Sequence, residues 1–420
     1  MNQQFPITLV TPVSANNEKP LLDYLGKLRL GLEENIHESF EDIGTIHFAR
    51  WLVIDTDIEK GVSSLGDMSK LIFTSNFDGD IKTQLNDLCT TAANIIDNIY
   101  CYCEGYPEVA ARTPGARVAY LEQWVVPPSA FYRGAPHRSL VQIRNEDRLH
   151  NFILDFIGSK KWNGIKAGNV KKQIEEAVKA RPEFDWARQS FSMPRVNWPG
   201  MIFLGLILLL LSIPILIWVL IVQYGYERHD EYFTMKRSQL DEKKMSILES
   251  YEDLEIPNQF SQLVTMKTGR VRLITFKAFM LFARVLIPFK FVTGKLMGIP
   301  TIHYARWVLF DNNKRVLFFS NFDGSWQQYL GDFIDQSGWG LTGIFSNTYK
   351  FPKTKFLISG GAYDEEHFLA WSRHSEVQTQ VWYNAYPHLS IKNVNNNSQI
   401  RSQLFKNSSE KKAAEFLKLI

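Results

Sequence analysis

The sequence predicts an α+β protein made of two similar units with a long apolar segment between them. A twelve-residue block at 44–55 recurs at 300–311, and both copies are rich in the β-branched and aromatic residues typical of strands. Between the blocks, residues 201–222 form a run of 22 residues without a charge. The chain has 420 residues, which is room for about two or three domains.

The overall composition is that of a globular protein. The chain carries 47 Lys and Arg against 44 Asp and Glu, a formal charge of +3. Proteins that bind nucleic acid through its phosphates need a basic surplus, so we expect no nucleic-acid partner. There are three cysteines, an odd number that argues against a disulfide-built secreted fold and favours a reducing compartment.

Three sequence blocks recur in the same order in the two halves. Such spacing indicates a domain duplication rather than a solenoid of short repeats. The blocks are GTIHFARWLVID at 44–55 and PTIHYARWVLFD at 300–311, SNFDG at 75–79 and 320–324, and YRGAPHRS at 132–139 and YNAYPHLS at 383–390.

Within the second copy, residues 301–310 and 315–320 predict two strands, joined by an Asp-Asn-Asn-Lys turn as a hairpin. Helices are predicted at 325–334, 363–371 and 396–404, and a further strand at 377–383. Strands interspersed with helices in a unit of this size predict a ferredoxin-like unit with helices on one face of its sheet. We expect the two open sheet faces to pair as an α/β barrel.

The run at 201–222 predicts a transmembrane helix, because ~33 Å of helix covers a hydrocarbon core of ~30 Å. Trp198 and Trp218 lie near its ends, where aromatic rings favour the interface. A soluble core helix is the alternative. A single crossing separates the two units, which conflicts with their pairing. A re-entrant kink at Pro214, a return through 271–292, or pairing with another chain would each resolve the conflict.

The segment at 271–292 is apolar with basic residues at intervals of seven, namely Arg270, Lys277 and Arg284. Charges at the bilayer centre are costly, so we expect this helix to lie in the membrane interface or to pack on its domain. In the interfacial alternative, the side chains in lipid are Leu273, Phe276, Met280, Leu281 and Leu286.

These patterns divide the chain into eight segments. They are an N-terminal extension (1–43), repeat 1 (44–153), linker helices (154–200), the transmembrane segment (201–224), a charged helical stalk (225–258), the basic amphipathic segment (259–298), repeat 2 (299–405) and a C-terminal tail (406–420), which we expect to be a short basic, solvated helix.

Strand alternation places Arg306 on the same face as apolar neighbours, so its guanidinium needs a partner. Asp323 is the nearest candidate in sequence, and Arg50 with Asp78 repeats the arrangement. One alternative is a structural ion pair at the strand-to-helix turn. The other is a catalytic pair in which the carboxylate moves protons and the guanidinium stabilises negative charge.

Four histidines recur in the two copies: His47 with His303, and His137 with His388. A neutral imidazole can ligate iron or shuttle protons, but a satisfied core or turn histidine is the alternative. The spacing of His, Cys and acidic residues predicts no metal site.

The runs at 259–264, 299–308 and 320–335 resemble a family of large, functionally uncharacterised, membrane-associated bacterial proteins. The chain is also distantly similar to the dye-decolourising peroxidases, haem enzymes of two ferredoxin-like halves. Their Gly-x-x-Asp-Gly motif is matched in all but the first glycine at 75–79 and 320–324. This resemblance implies Asp78 or Asp323 as the acid, Arg50 or Arg306 as the charge stabiliser, and one repeated histidine as the haem ligand.

Two functions follow as hypotheses. The first is a scaffold or binder of an apolar small molecule at the lipid bilayer, attached to the bacterial inner membrane with both repeats in the cytoplasm; a homo-oligomer is compatible with it. The alternative is a haem-dependent, peroxidase-like oxidoreductase.

Overall fold

The computed structural model describes residues 4–54 and 69–420, and within them the chain is a mixed α+β protein with antiparallel sheets. The strands are β1 (Gln4–Pro12), β2 (Ile46–Ile54), β3 (Lys70–Asp78), β4 (Ala130–Arg133), β5 (Pro257–Thr265), β6 (Ile302–Phe310), β7 (Arg315–Asp323), β8 (Thr354–Lys355), β9 (Ser359–Gly360) and β10 (Val381–Asn384). The α-helices are α1 (Glu18–Arg29), α2 (Ile36–Ile43), α3 (Ile81–Thr91), α4 (Ala93–Tyr100), α5 (Pro114–Glu122), α6 (Leu140–Gly158), α7 (Ala167–Lys179), α8 (Trp198–Leu210), α9 (Ser212–Gly225), α10 (Glu242–Glu249), α11 (Arg270–Lys290), α12 (Trp326–Phe345), α13 (Glu365–Ser375), α14 (Ile391–Leu404) and α15 (Glu410–Leu417).

Two four-stranded sheets have the same strand order. The first is β1-β3-β2-β10 and the second is β5-β7-β6-β4. In each sheet three strands come from one half of the chain and the edge strand comes from the other half. Val381 of β10 lies opposite Trp51 of β2, and Ala130 of β4 lies opposite Trp307 of β6. Each half therefore completes the sheet of the other.

The hairpin predicted at 301–320 is present as β6 and β7, paired from Phe310 with Arg315. Its turn contains Asp311, Asn312 and Asn313, all with positive φ. Asp and Asn tolerate this left-handed conformation better than most residues, which explains the sharp reversal. The helix predicted at 325–334 is longer than expected, since α12 continues to Phe345.

A bulge interrupts the alternation of side chains near the start of β2 and near the start of β6. The register shifts between Ile46 and Phe48 in β2, and between Ile302 and Tyr304 in β6. As a result Ile302 lies on the helix-covered face of its sheet, whereas simple alternation would place it on the same face as Tyr304. Asp55, the last residue of the first recurring block, lies outside the described residues.

The two sheets pack face to face through an apolar layer with members from both. Burying a side chain of this size stabilises the fold by ~1.5–3 kcal/mol, so this layer holds the two halves together. The strands nevertheless stay in two separate sheets, and the expected closed barrel is not formed. The layer contains Val10, Leu52, Ile54, Ile72, Leu263, Val308, Phe310, Leu317, Phe319 and Val377.

The other face of each sheet is covered by helices. The first sheet packs on α1, α3 and α4, and the second sheet packs on α11, α12 and α13. A separate small core joins α6, α7, α14 and α15 beside the sheets. The described chain is thus layered as helix, sheet, sheet and helix.

Several predicted boundaries need correction. β1 lies in the predicted N-terminal extension, and β5 begins in the predicted stalk and continues into the predicted amphipathic segment. Each nevertheless pairs along nine residues with a strand of a recurring unit, β1 with β3 and β5 with β7. The predicted helical stalk at 225–258 is helical in α10 and two short 3-10 turns only. In the tail, Phe416 of α15 is buried, so this helix is not a solvated end.

Candidate functional site

Arg50 and Arg306 each cross from one sheet to the other. The Arg50 guanidinium donates to Phe260 O (2.9 Å), Ser261 Oγ (2.9 Å) and Ser320 O (3.0 Å). In the opposite direction, the Arg306 guanidinium donates to Ile7 O (2.6 Å), to Ser75 O (2.8 Å) and to Asn76 Oδ1. The predicted Arg50–Asp78 and Arg306–Asp323 pairs are therefore wrong: both guanidinium groups hold the sheets together.

The two arginines lie in an environment that disfavours the charged guanidinium. Both are 2% exposed. Burial lowers the pKa of Arg50 to about 9, and burial together with the nearby Arg50 charge lowers the pKa of Arg306. Neutral carbonyl and hydroxyl oxygens are their main partners, which fits a structural role.

The two aspartates bind histidines of the neighbouring strand instead. His47 Nε2 lies 3.0 Å from Asp78 Oδ1, and His303 Nε2 lies 2.6 Å from Asp323 Oδ1. The second oxygen of each carboxylate accepts a backbone N–H at the start of a helix, from Leu140 to Asp78 (2.6 Å) and from Ile391 to Asp323 (2.8 Å). Each aspartate thus links two strands to the first turn of a helix.

Antiparallel register explains why histidine and not arginine meets the aspartate. Ile302 lies opposite Phe322, whereas Arg306 lies opposite Phe319, three residues earlier on β7. The start of β6 therefore lies beside the end of β7. The hairpin was predictable from the sequence. Counting residues outward from its turn could therefore have placed His303 beside Asp323.

The second pair of recurring histidines lies elsewhere. His137 borders a groove with Gln142, Phe191 and Arg195, and partial burial with Arg133 and Arg138 lowers the pKa of His137. The side chain of His388 is 66% exposed, with Nε2 3.1 Å from Asp147 Oδ2. The two residues precede α6 and α14 at equivalent positions, and neither touches the His–Asp pairs in the described contacts.

The geometry at His47 and His303 does not fit haem. His47 and His303 are buried with Nε2 against a carboxylate, and ring contacts with Phe48, Tyr304 and Tyr386 occupy the space around them. A haem ligand needs a nitrogen that faces room for the macrocycle. Within residues 4–54 and 69–420, no group of three or more His, Cys, Asp or Glu side chains is placed to hold a metal ion.

An exposed apolar feature stands apart from this centre. Helices α8 and α9 meet at a bend of 61°, and together they form what we call the apolar arch (198–225). Exposure is greatest near the bend, at Leu209 (70%), Leu210 (80%) and Ile213 (69%). No single helix in the described residues has the length and hydropathy needed to cross a membrane; this bent pair meets those criteria only when its helices are taken together.

Both ends of the apolar arch are hydrogen-bonded to α11. Asn197 N donates to Phe289 O (2.9 Å), and Trp218 Nε1 donates to Thr275 Oγ1 (2.9 Å), so both limbs contact α11. Beyond Trp218, the buried Gln223 accepts the N–H of Phe356. The arch therefore leaves the body and returns to the same surface.

Helix α11 has one face in the core and one face in solvent. Phe276 and Met280 are buried against the second sheet, as the packed alternative predicts, while Ile274 and Leu281 are exposed. Its exposed face also carries the predicted basic side chains Lys277 and Arg284. The apolar arch and α11 together form the candidate functional surface. The sequence patterns identified both segments but did not show that they contact each other.

No protein-family model, curated protein or solved structure matches the chain. The family resemblances drawn from the motifs therefore remain predictions.

Proposed function

We propose that the protein is a membrane-attached binding module that enters one leaflet through the apolar arch and remains on one side of the bilayer. The observation that carries this proposal is the return of the arch to its own body, where Asn197 and Trp218 both bond to α11.

The size of the arch supports shallow insertion. With ~1.5 Å of rise per residue each limb is ~20 Å long, and a 61° bend lifts the apex by only ~10 Å from the line joining its ends. That height suits the boundary between headgroups and acyl chains. Ser212 Oγ donates to Leu209 O (2.7 Å) at the bend, so a side chain supplies a hydrogen bond to the backbone there.

The composition of the surface supports lipid as its neighbour. Residues 198–226 carry no charge, and the exposed leucines and isoleucines near the apex would otherwise face water. Trp198 lies at the end of the arch with Lys290 Nζ 5.2 Å from its ring centroid, a pairing suited to the interface.

Strand exchange supports the one-sided arrangement. A membrane crossing between the two halves would place β4 and β6 on opposite sides of the bilayer, and likewise β10 and β2. Each of these pairs is joined by backbone hydrogen bonds in one sheet. We place the duplicated, ferredoxin-like units together on the cytoplasmic face of a bacterial inner membrane. The free cysteines Cys89, Cys101 and Cys103 are compatible with a reducing compartment.

Vesicle flotation tests the proposal. Full-length protein is mixed with phosphatidylglycerol vesicles and centrifuged through a density gradient. We expect wild type to float, and the double variant Leu210→Glu, Ile213→Glu to remain at the bottom. The matched control Leu32→Glu, Leu254→Glu changes two equally exposed leucines on loops of the body and should float. Flotation of the arch variant at wild-type level would refute the proposal.

A further inference from the structure

A groove lies beside the first limb of the apolar arch, and we call it the basic groove. Its volume is about 920 Å³, which is within the ~300–1,000 Å³ of small-ligand sites. The segment 190–195 forms much of its lining, and α11 contributes Pro288. The groove adjoins the arch, because Arg195 lines it and Asn197, two residues later, donates to Phe289 O of α11.

The groove contains an imidazole with arginines around it. His137 and Arg195 line the groove, both are exposed, and neither has a hydrogen-bond partner among the described residues. Burial, and then the charges of Arg133 and Arg138, lower the pKa of His137, so both guanidinium groups lie near its ring. Within residues 4–54 and 69–420, none of the three arginines forms an ion pair with a carboxylate.

Arg138 is the buried member of this group. Its side chain is 0% exposed, and it touches the lining of the groove: Nη2 lies 3.3 Å from Met193 Sδ, and Cζ lies 5.9 Å from the centre of the Phe191 ring. Its Nε donates to Ser398 Oγ (3.0 Å), but Nη1 has no partner among the described residues. Burial lowers the pKa of Arg138 only to about 10, so it stays charged at neutral pH. A buried charge of this kind is stabilised by an anion nearby.

Acidic residues do not cancel the positive charge of the groove. None of the described residues that line it is Asp or Glu. One carboxylate lies behind the lining, where Glu146 accepts from Gln142 Nε2 (2.7 Å) and is 1% exposed. Glu146 also interacts with Arg401, at 3.2 Å, and with Arg138, so one negative charge is set against two positive ones.

We infer that the basic groove binds the phosphate headgroup of an anionic phospholipid in the leaflet that the arch enters. This inference rests on the proposed function, because insertion of the arch brings its first limb, and the groove beside it, to the headgroups. His137 and Arg195 donate to the phosphate oxygens, and the charge of Arg138 adds attraction from behind the lining. Pro288 and Val292 give apolar contact to the glycerol backbone.

Calorimetric titration of the full-length protein tests the inference without vesicles. The probe is dihexanoyl phosphatidylglycerol below its micelle concentration, and we expect it to bind at least ten-fold tighter than dihexanoyl phosphatidylcholine. The double variant His137→Asn, Arg195→Gln should weaken its binding at least five-fold. Both residues are exposed, and Asn tolerates the positive φ of His137 (66°).

The control removes the same two side chains elsewhere. His388→Asn, Arg148→Gln changes exposed residues outside the groove and should bind the probe as wild type does. Equal affinity of the two double variants would overturn the inference, because the attraction would then come from net charge alone.

A second pair of variants keeps the charge and changes the space. Ser192→Trp places a large side chain in the lining of the groove and should weaken binding of the probe at least five-fold. Gln189→Trp, at an exposed residue three positions earlier and outside the groove, should leave it unchanged. Wild-type affinity of Ser192→Trp contradicts the inference.

Two further arms separate the possible failures. sn-Glycerol 3-phosphate is titrated in the same way; if it binds as tightly as the short-chain lipid and competes with it, the ligand is a soluble phosphate ester and the lipid is wrong. Wild type that floats with vesicles but does not prefer dihexanoyl phosphatidylglycerol refutes the headgroup site alone. Wild type that binds this probe but does not float refutes membrane attachment by the arch.

Discussion

Asn76 Nδ2 donates to Asn321 Oδ1 over 3.2 Å, so equivalent residues of the two Ser-Asn-Phe-Asp-Gly motifs meet between the sheets. Arg50 and Arg306 cross the same interface in opposite directions. Motifs that resemble a catalytic signature in sequence therefore form the centre of a structural interface.

Replacing Arg306 by Met should lower the free energy of unfolding by about 2 to 4 kcal/mol. The change leaves Ser75 O and Asn76 Oδ1 without this donor, and each buried unsatisfied group costs ~1–3 kcal/mol. Urea titration measures the effect. Arg148→Met, at an exposed arginine, should change stability by less than ~0.5 kcal/mol. Equal stability of the two variants would show that the crossing bonds contribute little.

Tyr132→Phe should stabilise the protein by about 1 kcal/mol. Tyr132 lies in the exchanged strand β4, and its buried hydroxyl has no hydrogen-bond partner among the described residues, so its removal relieves a desolvation cost. Tyr24→Phe is the control, since it loses a 2.6 Å bond to Glu34 and should destabilise. Thermal unfolding compares them; a Tyr132→Phe protein that melts below wild type argues for an unseen partner of this hydroxyl.

These two tests concern features that the sequence only partly predicted. The β6–β7 hairpin was predictable because two apolar strands flank an Asp-Asn-Asn turn, and the hairpin supplies two of the four strands of one sheet. Strand exchange was not predictable, because β4 and β10 are four residues long and their partners lie in the other half of the chain. Periodicity identifies a strand but does not identify its neighbour.

The candidate surface shows the same limit. Hydropathy located the arch and Pro214 indicated its bend, but its bonds to Phe289 and Thr275 depend on tertiary packing. The bulge near His303 moved Ile302 to the other face of β6, which a simple alternation cannot show. The kink of α12 at Ser337 falls at a Ser-Gly pair, a type of site where helices bend, but apolar periodicity alone does not show it.

Glu376 should contribute a loss of stability as the pH rises from about 4.5 to about 8. Burial raises the pKa of Glu376 to about 8, despite its 3.0 Å bond from Arg373, which also binds Glu252. Between the two pKa values the unfolded chain loses a proton that the native state keeps, so ionisation favours unfolding by up to ~1.4 kcal/mol per pH unit.

Glu376→Gln isolates this contribution. The variant should lose the part of the pH dependence that Glu376 causes, measured by urea unfolding at pH 5, 6.5 and 8. Glu122→Gln, at an exposed glutamate, should keep the wild-type slope. A Glu376→Gln profile parallel to wild type would mean that Arg373 keeps the carboxylate ionised throughout.

Neither His47 nor His303 should ligate haem, even in protein expressed with ample haem. The Nε2 atoms of His47 and His303 bind Asp78 and Asp323, so neither nitrogen is directed to an open site. Absorbance in the Soret region, measured for wild type and for His303→Ala, checks this. A Soret band in wild type that disappears in the variant would restore the peroxidase hypothesis.

The sidedness of the two halves tests membrane attachment most directly. Cys101 is exposed in the first half, and Gln327→Cys in a Cys101→Ser background places a thiol on exposed α12 in the second half. Each protein is treated with a membrane-impermeant maleimide in inverted inner-membrane vesicles and in intact spheroplasts. We predict that both thiols react in the inverted vesicles and neither reacts in spheroplasts. One thiol reacting in each preparation would place the halves on opposite sides and contradict the account.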